Sequence, residues 1–188
     1  MTRVLCLFVI LAAAGSALAQ DEFARDGVAI SAGAAFALED FDDEGIDFDN
    51  SGSAGASVSY RFNPHVGVEG HFEHTFNFSA DFPTGFGNAD VDVSIWSLTA
   101  NAQFFLLTGR FQPYVNVGIG YGSGEITVDF FGSDSDTTSN AMGRAGIGMD
   151  TYLTEHVVVA VEGIYNFGFG DLDSFNYWTL GGQLRYRF

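Results

Sequence analysis

The chain contains no lysine, and its single cysteine, Cys6, lies within the first twenty of its 188 residues. One cysteine excludes an intramolecular disulfide framework and any cysteine-built metal cluster. Seven arginines face 24 acidic residues, for a formal net charge of −17. That balance excludes nucleic acid as a partner, because phosphate binding needs a basic patch, and it excludes a polybasic attraction to anionic lipid. Proline is confined to Pro64, Pro83 and Pro113. No apolar run after residue 20 approaches the roughly 20 residues of a membrane helix, so any membrane crossing has to be made by strands.

What is present begins with Met1 to Gln20, which has a basic start at Arg3, an apolar run from Val4 to Ala14 and a small-x-small site at Ala17 to Ala19. This is the pattern of a cleaved secretory signal, with residues 1–19 removed, 20–26 as an N-terminal lead and 27–188 as one domain. Loss of Arg3 leaves six basic residues against 24 acidic ones, a net charge of −18. The chain is rich in glycine, with 24, and in phenylalanine, with 20. Acidic disordered chains are poor in aromatics, so this one folds.

A period of two runs through the sequence. It is clearest at the end, where Trp178, Leu180, Gly182, Leu184, Tyr186 and Phe188 alternate with Tyr177, Thr179, Gly181, Gln183, Arg185 and Arg187. The same alternation predicts strands over Gly27 to Glu39, Gly52 to Phe62, Val66 to Phe78, Val91 to Phe104, Phe111 to Gly122, Asn140 to Leu153 and Val157 to Phe167, with the last strand closing the set. Within the fourth, Val91, Val93 and Ile95 keep one phase and Trp96, Leu98, Ala100, Ala102 and Phe104 the other, which predicts a β-bulge near Ile95 and Trp96. His74 interrupts the apolar face of the third strand. Asp40 to Ser51, Ser79 to Asp90, Gly132 to Ser139 and Gly168 to Ser174 read as long acidic loops. Asn63-Pro64-His65, Thr108-Gly109-Arg110 and Thr154-Glu155-His156 read as short turns, the first and last of them a weak internal echo.

Eight strands of about ten residues, with short turns at one end and long loops at the other, predict an all-β, eight-stranded antiparallel up-and-down transmembrane β-barrel. A soluble barrel would reverse the faces, and the polar face decides between them. It carries Arg61, Glu69, Glu73, Arg144, Asp150, Glu162, Arg185 and Arg187 among small residues, which suits a narrow interior, while an outer face in water would be expected to use lysine. Phe62, Phe72, Phe104, Phe111, Tyr165, Trp178 and Tyr186 are expected near strand ends, as aromatic girdles.

The signal segment, the eight strands, the stretch PYVNVGIGYG (Pro113 to Gly122) and the ending LRYRF (Leu184 to Phe188) resemble the small outer-membrane β-barrel family that includes opacity-type surface antigens and the transmembrane domain of OmpA-like proteins. The resemblance covers the mature chain. It implies a Gram-negative outer membrane, loops extracellular and termini periplasmic, with outer-membrane lipid and lipopolysaccharide as surroundings. It also implies that Leu184, Tyr186 and the terminal aromatic Phe188 form the assembly signal read by the barrel-insertion machinery. No peptidoglycan-binding domain is expected.

An ion in a low-dielectric interior needs a partner, so the eight lumen charges are expected to join in salt-bridge networks that plug the barrel. Asp40, Asp42 and Glu44, followed by Gly45, resemble the start of a calcium loop, but the twelfth position is Ser51 and the expectation is at most loose divalent-cation binding. The loop aromatics Phe41, Phe48, Phe82, Phe86, Phe130, Phe131 and Phe169 are expected to pack extended hairpins. Lipid-modifying barrels of this size with a deacylase activity carry a His-x-Ser pair. Here His65, His71, His74 and His156 are followed at the second position by Gly67, Glu73, Phe76 and Val158, so no nucleophile stands beside a base. The sequence therefore predicts a monomeric surface protein with a structural, envelope or adhesive role and no cofactor. A narrow small-solute or ion channel is the alternative, and a lipid-modifying enzyme ranks behind both.

Overall fold

The computed structural model describes residues 23–40, 49–84, 87–129 and 133–188. The signal segment and most of the first loop lie outside them. Eight strands follow in order: β1 (Gly27–Glu39), β2 (Ser51–Asn63), β3 (Val66–Thr84), β4 (Gly87–Phe105), β5 (Phe111–Asp129), β6 (Ser133–Tyr152), β7 (Val157–Gly168) and β8 (Tyr177–Arg187). Each pairs antiparallel with its sequence neighbours, and β1 pairs with β8 from Ala29↔Arg187 to Glu39↔Tyr177, which closes the sheet into a barrel. Closure removes the two edges that an open sheet of this size would expose.

The two faces separate by parity. Val28, Ile30, Val58, Leu98, Ile119, Val161, Leu180 and Leu184 stand exposed on the outer wall, while Ser57, Glu69, Thr99, Asn116, Asp150 and Arg185 are buried inside. Such an inversion costs free energy in water and is stable where hydrocarbon surrounds the wall. Several inward-facing residues of β1, β2 and β8 are small, among them Gly33, Gly55 and Gly181, leaving room for long side chains that cross from the opposite wall. At Gly55 a Cβ would stand 2.8 Å from the Phe72 carbonyl oxygen and 3.1 Å from His71 Nε2, so a side chain there would displace the lumen packing.

Two sequence expectations are corrected here. Along β4 there is no bulge at Ile95 and Trp96: Val93, Ile95, Ser97, Thr99, Asn101 and Gln103 all face inward in one unbroken phase, and the β4–β5 register runs without a shift from Asp90↔Asp129 to Phe105↔Tyr114. What changes at Ile95 is the chemistry of the interior, from polar to apolar. The extra residue sits on β3, where Thr75↔Ile95 is followed by Phe78↔Val93. Phe76 and Asn77 both point outward, and Phe78 is buried inside.

The second correction concerns length. Ser79 to Asp90 and Gly132 to Ser139, read as loops, belong largely to strands. β2 stops pairing with β3 at Ser53↔Thr75 and β7 stops pairing with β6 at Met142↔Gly168, whereas β3, β4, β5 and β6 stay paired beyond both points. A four-stranded sheet therefore continues past the rim. Pro83 falls in the part of β3 that has lost β2, where a missing N–H breaks no ladder. Because β3 runs on to Thr84, Phe72 lies in mid-strand rather than at a strand end.

At the opposite end two turns are built alike. Asn63 Oδ1 accepts from His65 N at 2.9 Å and Val66 N at 3.0 Å, and Thr154 Oγ1 accepts from His156 N at 3.2 Å and Val157 N at 3.0 Å. Each turn histidine then sets Nδ1 against the end of an adjacent strand, His65 at the Phe105 carbonyl (2.9 Å) and His156 at the Arg187 carbonyl (2.8 Å).

Candidate functional site

The site is the lumen, and parity alone brings its charges together, because inward positions of eight strands share one narrow interior. Arg185 on β8 sits at its centre. Its Nη1 donates to Asp150 Oδ2 at 2.7 Å and its Nη2 to Glu69 Oε2 at 3.5 Å. Glu69 also accepts from Ser57 Oγ (3.0 Å), Asn101 Nδ2 (3.3 Å) and Gln103 Nε2 (3.2 Å). One strand pair toward the loops, Arg144 lies 3.7 Å from Glu73 and 3.9 Å from Glu162. Glu162 is held by the Tyr114 hydroxyl and by Gln183 Nε2 at 2.7 Å, and Glu73 accepts from the Tyr177 hydroxyl at 3.5 Å. His71 stands between Glu69 and Glu73 on the same strand, 3.9 and 3.5 Å away.

Arg61 and Arg187 lie nearer the short turns and join through a phenol, both donating to Tyr152 Oη. The structure thus places all eight sequence-derived lumen charges inside the barrel, six of them in carboxylate–arginine contacts. It adds Tyr114, Tyr152, Tyr177, His71, Gln103 and Gln112, which reading by charge alone passed over. Parity was the available signal for three of them: His71 is in phase with Glu69, Tyr152 with Asp150 and Tyr177 with Arg185.

Both mouths are occupied. Toward the loops the interior turns apolar, with Ala37, Phe78, Val93, Ile95, Met142, Leu172 and Tyr177 in one buried cluster. Leu172 comes from the fourth loop, on a single 3-10 turn (Gly170–Leu172) that folds back over the opening. Gly170, at φ +60°, supplies the left-handed residue this reversal requires. Toward the turns, residues 23–25 cross the opening: Phe23 packs on Tyr152 with centroids 5.3 Å apart, Ala24 is buried, and the Arg25 carbonyl accepts from Arg187 Nη2. The Arg25 side chain is tied down by Glu155 at 3.0 Å. Between the mouths remains a cavity of about 30 Å³ bounded by Gly55, His71, Glu73, Arg144, Glu162 and Thr179, room for one or two waters.

Charge is also divided along the axis. Among the described residues the loop end carries Glu39, Asp40, Asp49, Asp92, Glu125, Asp136, Asp171 and Asp173 and no arginine, whereas Arg25, Arg61, Arg110 and Arg187 lie at the turn end beside two acids, Asp26 and Glu155. Asp40, the one described member of the calcium-like stretch, donates its backbone N–H to the Asn176 carbonyl at 3.0 Å. Asp42 and Glu44 lie outside the described residues, as do the side chains of Phe41, Phe48, Phe82, Phe86, Phe130 and Phe131. Phe169 packs edge-on against Phe167 at 5.4 Å. Leu184, Tyr186 and Phe188 all project from the outer wall, and the Tyr186 ring stacks on His156 at 5.8 Å and meets Phe188 edge-on at 5.2 Å.

Small membrane barrels of known structure share this architecture. Neisserial surface protein A superposes with a TM-score of 0.67 at 17% identity, over 86% of this chain and 97% of its own. Ail, the attachment invasion locus protein of Yersinia pestis, gives 0.64 at 23% identity over 87% and 100%, and the outer membrane protein OprG of Pseudomonas aeruginosa gives 0.59 at 18% over 90% and 99%. No curated protein matches by sequence. The family description "outer membrane protein beta-barrel domain" matches residues 4–188. An outer wall suited to hydrocarbon, a closed eight-strand sheet and a family match along nearly the whole chain lead to one statement: the chain belongs to the outer membrane protein beta-barrel domain family, and its place is the outer membrane.

Proposed function

We propose that the chain is a monomeric, sealed surface barrel with a structural or adhesive role in the envelope, its acidic loops outside the cell and its turns and termini in the periplasm. The observation that carries this reading is the filled lumen. Arg185, Asp150 and Glu69 occupy the centre, Leu172 and its apolar neighbours close the loop end, and Phe23 closes the turn end. A lumen filled by paired charges and capped at both ends supports anchoring and display rather than transport or catalysis.

The partner chemistry follows from the loop-end carboxylates. One neighbour in structure, Ail, has been crystallised with a heparin analogue, sucrose octasulfate. A polyanion of that kind would be repelled by the loop end of this chain, so an adhesive role here requires a cationic surface or a bridging divalent cation. Lipopolysaccharide phosphates joined to these carboxylates through such cations are the envelope partner proposed. In assembly, Leu184, Tyr186 and Phe188 are proposed as the signal for the insertion machinery.

The channel reading has one observation in its favour: Arg144 Nε and Nη1 and both ring nitrogens of His71 are buried without hydrogen-bond partners beside the 30 Å³ cavity, so part of the interior is hydrated. Planar-bilayer recording separates the two. The sealed barrel gives a flat baseline, and reproducible unitary steps would establish the channel instead.

A further inference from the structure

Arg61 and Arg187 differ from the other lumen cations. Arg144 and Arg185 each have two carboxylates within 4 Å, whereas among the described residues Arg61 and Arg187 have none. Both are nevertheless deeply buried, at 4% and 7% exposure. Their N–H groups go to neutral oxygens. Arg61 donates to Gln112 Oε1 at 2.6 Å, to the Asn63 carbonyl at 3.3 Å, to the Pro64 carbonyl and to Tyr152 Oη; Arg187 donates to Tyr152 Oη and the Arg25 carbonyl. The face of Phe105 lies 3.9 Å from the Arg61 guanidinium. These groups solvate the two cations but bring no formal counter-charge.

A cavity of about 10 Å³ lies among them, lined by Ala29, Ser59, Arg61, Gln103, Arg185 and Arg187. Arg185 Nε, on a side chain 3% exposed, has no hydrogen-bond partner. Three guanidiniums therefore border a space in which the nearest carboxylates, Asp150 and Glu69, are already engaged by Arg185. The turn end of the lumen carries a surplus of one positive charge, buried, with a vacant N–H beside it. In a low-dielectric interior such a surplus attracts a counter-ion.

We propose that this cavity is a binding site for one small monovalent inorganic anion of the chloride class, held by Arg61, Arg185 and Arg187. Size sets the selectivity. The space is small, about 10 Å³, and favours a compact ion over bulkier sulfate, phosphate or organic carboxylates. Water fits the space but leaves the surplus charge uncompensated. The anion completes the charge balance that the protein's own carboxylates leave short at this end of the lumen, the mouth that Phe23 and Ala24 cross.

The test uses the whole mature chain folded in detergent micelles. Thermal unfolding is followed while chloride replaces gluconate at constant ionic strength, and crystals grown in bromide are examined for anomalous scattering. The expected result is an unfolding temperature raised by roughly 5 °C or more at saturating chloride, with bromide substituting, and an anomalous peak among the three arginines. Ala29→Asp, which carries a carboxylate into the cavity from the β1 wall, is expected to remove the chloride response; Arg61→Gln, which removes the surplus charge, is expected to do the same should the first variant not fold. Equal unfolding temperatures in the two salts with no bromide peak would mean that water alone fills the cavity, and the proposal falls. A chloride response that survives in both variants would place the anion elsewhere and overturn the assignment.

Discussion

Replacing Arg185 by glutamine tests whether the lumen charges hold the barrel together. The loss falls unequally on its two partners. Glu69 keeps three neutral donors, Ser57, Asn101 and Gln103, whereas Asp150 Oδ2 loses its bond to Arg185 Nη1 and Oδ1 has no partner to begin with. Asp150 is 1% exposed, so the substitution leaves a buried carboxylate with no cation within 4 Å, a situation that costs about 3 to 5 kcal/mol. Asp150→Asn added to Arg185→Gln removes the stranded charge and is expected to recover most of that loss, giving a coupling energy of about 2 kcal/mol or more in a double-mutant cycle. Urea unfolding of the barrel in lipid bilayers, followed by tryptophan fluorescence, supplies the four free energies. A single-variant loss below about 1 kcal/mol, the range of solvent-exposed pairs, would show that water fills the lumen around these charges, and the sealed-barrel account would fail with it.

Four further outcomes can be checked. Leu172→Ala removes the side chain that closes the loop-end cluster and is expected to cost about 2 to 3 kcal/mol, with faster proteolysis within residues 168–176. Gly120→Ala places a Cβ 2.6 Å from Thr99 Cα; overpacking of this kind costs about 1 to 3 kcal/mol, and a lowered yield of heat-resistant folded barrel on gels would report it. Asn63→Ala and Thr154→Ala each remove a side chain that accepts two backbone N–H bonds in a turn, and each is expected to lower unfolding free energy by about 1 kcal/mol, additively because the turns share no partner. Phe188→Ser is expected to reduce insertion in cells while leaving refolding into detergent nearly unchanged; equal loss in both settings would assign Phe188 to stability rather than to recognition.

How much of this was legible in the sequence depended on where each segment sits relative to the membrane. Within the hydrocarbon layer the outer wall must be apolar and the inner wall polar, so parity survives: β1, β7 and β8 could be read almost residue by residue. Above the rim both faces of a strand meet water or its own hairpin, alternation has no physical cause, and Ser133 to Ser139 read as a loop although it is part of β6. The phase slip in β4 was misread for a related reason. Val93 and Ile95 are as apolar as lipid-facing residues, but they fill the capped mouth, and a sequence cannot distinguish one dry environment from another. The eight lumen charges were found by parity; which would meet was not, since contacts such as Arg185 with Glu69 span 116 positions of sequence and depend on barrel closure.

The division of charge along the axis has a consequence for the life history of the protein. In the orientation proposed above, each loop-end carboxylate among Glu39, Asp40, Asp49, Asp92, Glu125, Asp136, Asp171 and Asp173 crosses the hydrocarbon once while the hairpins are threaded, and each adds a depth-dependent cost, smaller than the roughly 2 to 4 kcal/mol of an arginine at the midplane of a barrel wall. With at least eight such groups among the described residues and no arginine there to travel alongside them, the costs add and the return journey is strongly opposed. The barrel's direction is thus a memory of how it was assembled rather than an equilibrium choice, and a molecule seated upside down would have no route to correct itself.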